Sequence, residues 1–259
     1  MGDSRTQTRA SEVAEQEAVD AQQAVDSSTS QSFPKSTSQG LIHGHYRYVR
    51  SLGEGSQGST CLAIDERSGR EVALKRIEIR SAKEWKCIEL FERECRVLQA
   101  INHPSVPRYI EHFSEDGAIV LVMERIVGES LQQIRMRGER MSEAQAWRLL
   151  HSVGEILDAL HGMHPPVIHR DIKPHNLVMR PDSSVALVDF GAVRDAIRVR
   201  DGSTVAGTFG YMAPEQFQGR AFAQSDVYSL GATIVALMTG LEPEQMPHRG
   251  LRIDVASHL

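Results

Sequence analysis

The stretch His169-Arg170-Asp171-Ile172-Lys173-Pro174-His175-Asn176, followed thirteen residues after Asn176 by Asp189-Phe190-Gly191, decides how the rest of the chain is read. Short apolar runs at Val167 to His169, Leu177 to Met179 and Val185 to Val188 flank these polar residues and read as strands. Phosphoryl transfer asks little covalent chemistry of a protein; it asks for metal-held phosphates and an oriented hydroxyl. Asp171 can accept the hydroxyl proton, Asn176 and Asp189 can coordinate Mg²⁺, and Lys173 can sit against the charge of the transferring group.

Upstream, the runs Tyr46 to Leu52, Ser59 to Asp65 and Glu71 to Ile79 read as three consecutive antiparallel strands. A capping signal at Ser81 and Glu84 precedes a helix whose apolar stripe includes Ile88, Phe91, Cys95, Leu98 and Ile101. Arg108 to Phe113 and Ala118 to Glu124 then read as two more strands. From Gly128 the pattern turns helical. Ser142 with Gln145 caps a segment in which Ala146, Leu149, Leu150, Val153, Ile156, Leu157 and Leu160 are expected to form one buried face, and a second apolar helix runs from about Ser225 to Thr239. A β-rich first half and a helix-rich second half predict a two-lobed α+β fold with a crevice between the lobes.

Gly53-Glu54-Gly55-Ser56-Gln57-Gly58 fits G-x-G-x-x-G, a weak signal by itself. It lies between two β runs instead of leading from strand into helix, so a hairpin folded over phosphates suits it better than a dinucleotide turn. One strand later comes Val72-Ala73-Leu74-Lys75, with a lysine placed to orient α- and β-phosphates and Glu94 on the next helix placed to hold it.

Composition narrows the function. The chain has 259 residues, 41% hydrophobic, with 29 basic against 34 acidic side chains and a net charge of −5, so nothing marks it for a nucleic-acid backbone. No apolar stretch approaches the roughly 20 residues of a membrane span, and no signal peptide is visible, so a cytoplasmic protein is expected. Cys61, Cys87 and Cys95 form neither a disulfide framework nor a zinc spacing, and His161, His164 and His169 straddle a Pro-Pro turn without sharing a helical face. In residues 1–40, 18 of 40 residues are Ser, Thr or Gln, and Leu and Ile are absent, which predicts a disordered tail. No residue pattern sets an oligomeric state.

In this order the motifs resemble those of the protein kinase superfamily over residues 46 to about 240, ending with Ala213-Pro214-Glu215 and Asp226. Lys173 and the Gly207-Thr208-Phe209-Gly210-Tyr211-Met212 segment resemble the serine/threonine branch, and Met212 to Gln216 and Ser225 to Gly231 are most similar to the eukaryotic-like kinases of bacteria. The resemblance implies ATP and Mg²⁺ as cofactors, with Mn²⁺ as an alternative metal, and protein substrates. It implies an N-lobe at 46–124, a hinge at 124–128 and a C-lobe at 129–259 within a domain of residues 41–259. It makes Met123 the gatekeeper, Glu124, Arg125 and Ile126 the hinge, and Ala73 and Val178 the residues that sandwich adenine. Thr60 stands where the family's glycine loop has valine. Leu98, Tyr109, His169 and Phe190 match its stacked apolar column, with Asp226 at the base.

Thr204, with Ser203 as its competitor, occupies the position of an activation-loop phosphosite. Arg170 and Arg194 would receive the phosphate, and Thr208 is expected to partner Asp171 and Lys173 in the substrate groove. His175 replaces the acid that many basic-directed kinases carry there, which weakens the expectation of arginine at the substrate's minus-two position. The family continues through several helices where this sequence has 18 residues after Leu241, so a C-lobe lacking its last helices is expected, with Arg249 or Arg252 as substitute partners for Glu215. The implied activity is ATP-dependent phosphorylation of serine or threonine in proteins. The alternatives are a kinase-shaped ATP-binding or scaffold module with little activity and, more remotely, a small-molecule phosphotransferase.

Overall fold

Ala118-Ile119-Val120-Leu121-Val122-Met123 is an unbroken apolar run, and such a run is stable as a strand only where both faces are covered. In the computed structural model, which describes residues 41–55, 58–79, 85–195, 207–250 and 252–254, it forms an interior strand. The sheet comprises β1 (Tyr46–Gly55), β2 (Gly58–Asp65), β3 (Arg70–Glu78), β4 (Tyr109–Glu115) and β5 (Ala118–Glu124). It is antiparallel throughout, with spatial order β1-β2-β3-β5-β4. Helix α1 (Trp85–Ala100) packs on one face, as the order read from the sequence implies; Ser81 and Glu84 lie outside the described residues.

Alternation along β3 divides its side chains between two cores. Val72 and Leu74 join Tyr46, Cys61, Ala63, Val120 and Val122 on the far face. Ala73 faces the α1 side with Leu121, Met123, Phe91, Cys95 and Leu98. Lys75, two residues from Ala73, therefore points toward α1, and this register places a cation inside the protein.

The second half begins with β6 (Glu129–Ser130) and α2 (Leu131–Met136), capped by a reciprocal Ser130/Gln133 box that the sequence reading passed over. Helix α3 (Glu143–His161) has the expected Ser142/Gln145 box. Its stripe is buried except at Leu150, which is 38% exposed: the apolar face is wider than the surface that covers it. Then come β7 (Val167–Ile168), β8 (Leu177–Met179), β9 (Val185–Leu187), β10 (Arg194–Asp195) and α4 (Ala223–Thr239). A two-residue hairpin, β11 (His248–Arg249) and β12 (Arg252–Ile253), closes the described chain. One continuous core runs from Leu98 and Leu121 through Leu149, Leu177 and Phe190 to Leu230 and Leu237, joining the two lobes along the crevice. Among the described residues no helix is long and apolar enough to cross a membrane.

Candidate active site

The β1–β2 hairpin carries the glycine motif, with Gly55 opposite Gly58 and Thr60 paired with both Gly53 and Lys75. Gly58, at φ 116°, has a structural reason to be glycine: a Cβ there would lie 2.2 Å from the Arg76 carbonyl oxygen. Gly53 has open space instead, which leaves its backbone approachable. Glu54 is exposed beside it; Ser56 and Gln57 lie outside the described residues.

Lys75 Nζ donates to both carboxylate oxygens of Glu94, each at 2.9 Å, and to Asp189 Oδ1 at 2.7 Å. Lys75 and Glu94 are almost sealed from water, whereas the Asp189 side chain is 36% exposed. Burial by itself lowers the lysine pKa, but the charges of Asp189 and Glu94 outweigh it and raise the value, so the ammonium is retained. Burial also raises the pKa of Asp189, yet Lys75's charge and hydrogen bond hold its carboxyl well below the usual range. Glu94 is the strained partner: burial pushes its carboxyl up against the opposing pull of Lys75 and of a hydrogen bond with the Phe190 backbone.

A second polar cluster is built around Asp171. Lys173 Nζ lies 2.8 Å from Asp171 Oδ2 and donates to Thr208 Oγ1 at 2.6 Å, while the threonine hydroxyl donates to Asp171 Oδ1 at 2.8 Å. Asn176 Nδ2 donates to the Asp171 carbonyl at 2.8 Å and to its Oδ2 at 3.0 Å. Lys173 is thus tied to Asp171 and Thr208, the two residues with which the sequence reading grouped it. With the amide nitrogen used in this way, Asn176 Oδ1 lies 3.4 Å from His175 Nδ1, and the Asn176 backbone carbonyl accepts from the Val188 N–H at 2.9 Å, one residue before Asp189.

Both flanking backbones are left-handed at non-glycine residues, with φ 71° at Arg170 and φ 64° at Asp189, so surrounding bonds must hold them. Asp226, fully buried on α4, accepts from the backbone N–H of His169 at 2.9 Å and of Arg170 at 2.7 Å, and His161 Nε2 donates to it at 2.9 Å. Gln216 Nε2 donates to the Arg170 carbonyl at 2.9 Å. Gly207 makes this approach feasible, since a Cβ there would lie 2.8 Å from the same oxygen. His169, whose pKa burial lowers, meets the Phe190 ring edge-on with centroids 4.9 Å apart. Phe190 in turn shares the core with Leu98 and Tyr109.

Where the sequence reading expects a hinge, Met123 faces Ala73 across β3 and β5, and Val178 pairs with Ser130 on the opposite lobe. Glu124, Arg125 and Ile126 connect them, and Gly128 follows at φ 151°, where a Cβ would lie 2.2 Å from the Met179 carbonyl oxygen. Glu215 accepts from the Ser225 hydroxyl at 2.6 Å; among the described residues no ion pair joins it to either candidate substitute, Arg249, which binds Asp254 at 2.9 Å, or Arg252. Ser225 lies ten residues further along the chain, in the first turn of α4. Thr204, Ser203 and the side chain of Arg194 lie outside the described residues; Arg170 is buried. Sequence reasoning also missed Gln216, His161 and Ser225. Each acts by supporting another group's backbone or charge, for which no local string exists.

A two-lobed fold with this order of lysine, glutamate, aspartate and asparagine defines a phosphotransferase class, and comparison identifies the family. Residues 46–253 match the protein kinase domain, and the chain belongs to that family. It is 38% identical over 210 residues to serine/threonine-protein kinase D of Synechocystis, covering 75% of this chain and 40% of that protein. It is 35% identical over 222 residues to serine/threonine-protein kinase C of the same organism, covering 80% and 41%. With serine/threonine-protein kinase PknA of Mycobacterium tuberculosis the identity is 34% over 210 residues, covering 78% and 48%. The chain therefore spans less than half the length of each of these curated relatives.

Proposed function

We propose that this chain transfers the γ-phosphoryl group of ATP to serine and threonine hydroxyls of protein substrates. The observation that carries the reading is the Asp171 carboxylate, fixed by Asn176, Lys173 and Thr208 on the side of the crevice where Asp189 is held by Lys75. In that position Asp171 orients the acceptor hydroxyl and takes its proton as the new P–O bond forms and the bond to the β-phosphate oxygen breaks. Lys75, charged and immobile, is placed to orient the ATP phosphates, and the backbone at Gly53 and Gly55 to approach them.

Mg²⁺ fits the donor set. Asn176 Oδ1 and the Asp189 carboxylate are hard oxygen donors, and among the described residues no group of three or more His, Cys, Asp or Glu side chains could hold a metal alone. That matches an ion which takes one or two protein oxygens and completes its shell with substrate phosphates and water. When bound it would neutralise phosphate charge; Mn²⁺ suits the same oxygens.

Autophosphorylation at Thr204, or at Ser203, belongs to the same reading and is supported by sequence position alone. Cytoplasmic placement belongs to it as well, because ATP is supplied there. The test is radiometric transfer to casein or myelin basic protein by the wild type and by Asp171→Ala, with mass spectrometry of the loop. Transfer lost in the variant is expected. ATP binding without transfer in the wild type would leave a binding module and overturn the proposal.

A further inference from the structure

Glu242 lies outside the motifs read from the sequence, in the segment that leaves α4, and both of its carboxylate oxygens are in use. Oε1 forms an ion pair with the Arg135 guanidinium on α2, and Oε2 accepts from the Tyr211 hydroxyl at 3.0 Å. The Arg135 side chain is only 9% exposed, so the glutamate serves as counter-charge to a cation that water barely reaches. Burial raises the Tyr211 pKa, and the charge and hydrogen bond of Glu242 raise it further, so the hydroxyl keeps its proton and remains a donor.

The backbone around Glu242 is fixed as well. Its N–H donates to Gln245 Oε1 at 3.0 Å across the 3₁₀ turn Pro243–Gln245, in which Pro243 is buried. Met246 follows, buried in one cluster with Tyr211, Ala232 and Ala236. The two alanines, one turn apart on α4, carry nothing beyond Cβ and leave room for the tyrosine ring.

Tyr211 is where this anchor meets the Asp171 cluster. Its N–H donates to the Thr208 carbonyl at 3.1 Å and closes a four-residue turn, in which Gly210 takes φ 85°. At the other end of that turn the Thr208 hydroxyl donates to Asp171 Oδ1 at 2.8 Å and accepts from Lys173 at 2.6 Å. Arg135, Glu242, Tyr211, Thr208 and Asp171 therefore form one bonded line from α2 to the Asp171 carboxylate. Asn176 and Lys173 hold Asp171 Oδ2, which leaves Oδ1 to Thr208.

We propose that Glu242 is a positioning residue for phosphotransfer: through the Tyr211 hydroxyl it fixes the Thr208–Tyr211 turn, and so the threonine hydroxyl that orients Asp171. The proposal rests on the phosphotransfer reading above. Misplacing a reacting group by about 1 Å can cost about 100-fold in rate; with Oδ2 still held, releasing the turn should cost about fivefold to twentyfold in kcat. Lys75, Glu94 and Asp189 are tied to one another, so affinity for ATP should be spared.

The test uses the full 259-residue chain with ATP and myelin basic protein, and reads kcat and the KM of each substrate. Tyr211→Phe, which removes one hydroxyl, and Glu242→Ala should each lower kcat about fivefold to twentyfold, with the KM for ATP within about twofold of wild type. The double variant should lose no more than about twofold beyond the more impaired single one, because both changes break the same bond. Glu242→Gln keeps an acceptor oxygen for the tyrosine and should lose no more than about threefold. Glu244→Gln, exposed in the same turn, should match the wild type, which separates the Glu242 bond from negative charge in general. Should Glu242→Ala fail to fold, Tyr211→Phe and Glu242→Gln carry the comparison. An unchanged kcat in Tyr211→Phe, losses that multiply in the double variant, or a kcat loss matched by an equal loss of ATP affinity would overturn the assignment and leave the kinase reading standing. No transfer by the wild type to myelin basic protein or casein would overturn the kinase reading and this inference with it.

Discussion

Lys75→Met replaces an ammonium that makes three short contacts with an apolar side chain of similar length, and its consequences divide unequally between the two carboxylates left behind. Asp189, 36% exposed at its side chain, can regain water. Glu94, 1% exposed, cannot. Breaking a buried ion pair by removing one partner costs about 3–5 kcal/mol, and here that cost falls on Glu94. The carboxyl can escape by taking a proton, which makes the penalty depend on pH. A carboxylate whose folded pKa is raised above its unfolded value binds more protons when folded, so stability declines as pH rises from the unfolded value to the raised one. Burial already pushes Glu94 up in the wild type, and deleting Lys75 removes the main opposing pull. The variant should therefore lose about 3–5 kcal/mol relative to wild type at pH 8. Part of that loss should be recovered as the pH is lowered from 8 to 6, at no more than about 1.4 kcal/mol per pH unit. Urea denaturation followed by tryptophan fluorescence at both pH values measures this, with transfer to myelin basic protein lost at either. Glu94→Gln added to Lys75→Met should restore most of the stability at pH 8 without restoring transfer. A penalty below about 1 kcal/mol, or one equal at pH 6 and pH 8, would refute the assignment of the cost to a stranded Glu94.

Asp189→Asn should weaken Mg²⁺-dependent ATP binding more than Asp171→Asn does, because only the former is placed to meet metal; isothermal titration with and without Mg²⁺ decides it, and equal losses would contradict the roles. Gly128→Ala should destabilise the fold by about 1–3 kcal/mol and weaken nucleotide binding, since the new Cβ would meet the Met179 carbonyl oxygen at 2.2 Å and the hinge would have to shift; a thermal melt with and without ATP reads both effects. Ser225→Ala removes the 2.6 Å hydrogen bond to Glu215 and the 3.1 Å bond from the Phe222 backbone, so a loss of about 1.5–3 kcal/mol is expected in urea denaturation; an unchanged midpoint would show that another group holds Glu215.

The motifs of the candidate site were legible because each is local: glycine hairpin, strand lysine, and the run from His169 to Asn176 each lie within one turn or strand. The sheet was legible for the same reason, as five apolar runs separated by turn residues. The contacts that hold the chemistry in place were not. Gln216 reaches the Arg170 carbonyl from 46 residues away, and His161 meets Asp226 across 65 residues, distances at which no spacing rule operates. Leu150 shows a different limit: helical periodicity identifies an apolar stripe, but its covered width depends on neighbours that periodicity does not contain. The partner of Glu215 was sought far along the chain because an ion pair was expected. A hydroxyl ten residues away satisfies the same carboxylate through a hydrogen bond.

The site also depends on how two buried carboxylates divide the tasks of holding the fold. Glu94 binds Lys75 through both oxygens and takes a hydrogen bond with the Phe190 backbone, so α1, β3 and the segment after β9 cannot move independently without losing a charge-assisted bond. Asp226 does the corresponding work from α4, gripping the N–H groups of His169 and Arg170 with both oxygens. His169 and Phe190 then meet edge to face between these two anchors. A displacement of α1 would therefore act on Asp189 twice, by withdrawing Lys75 and by shifting the neighbouring Phe190, while Asp171 would stay fixed by Asp226 and Asn176. The half of the site around Asp171 is built into the C-lobe by Asp226 and Asn176; the half around Lys75 and Asp189 is assembled across the crevice, and any displacement of α1 would reach the second before the first.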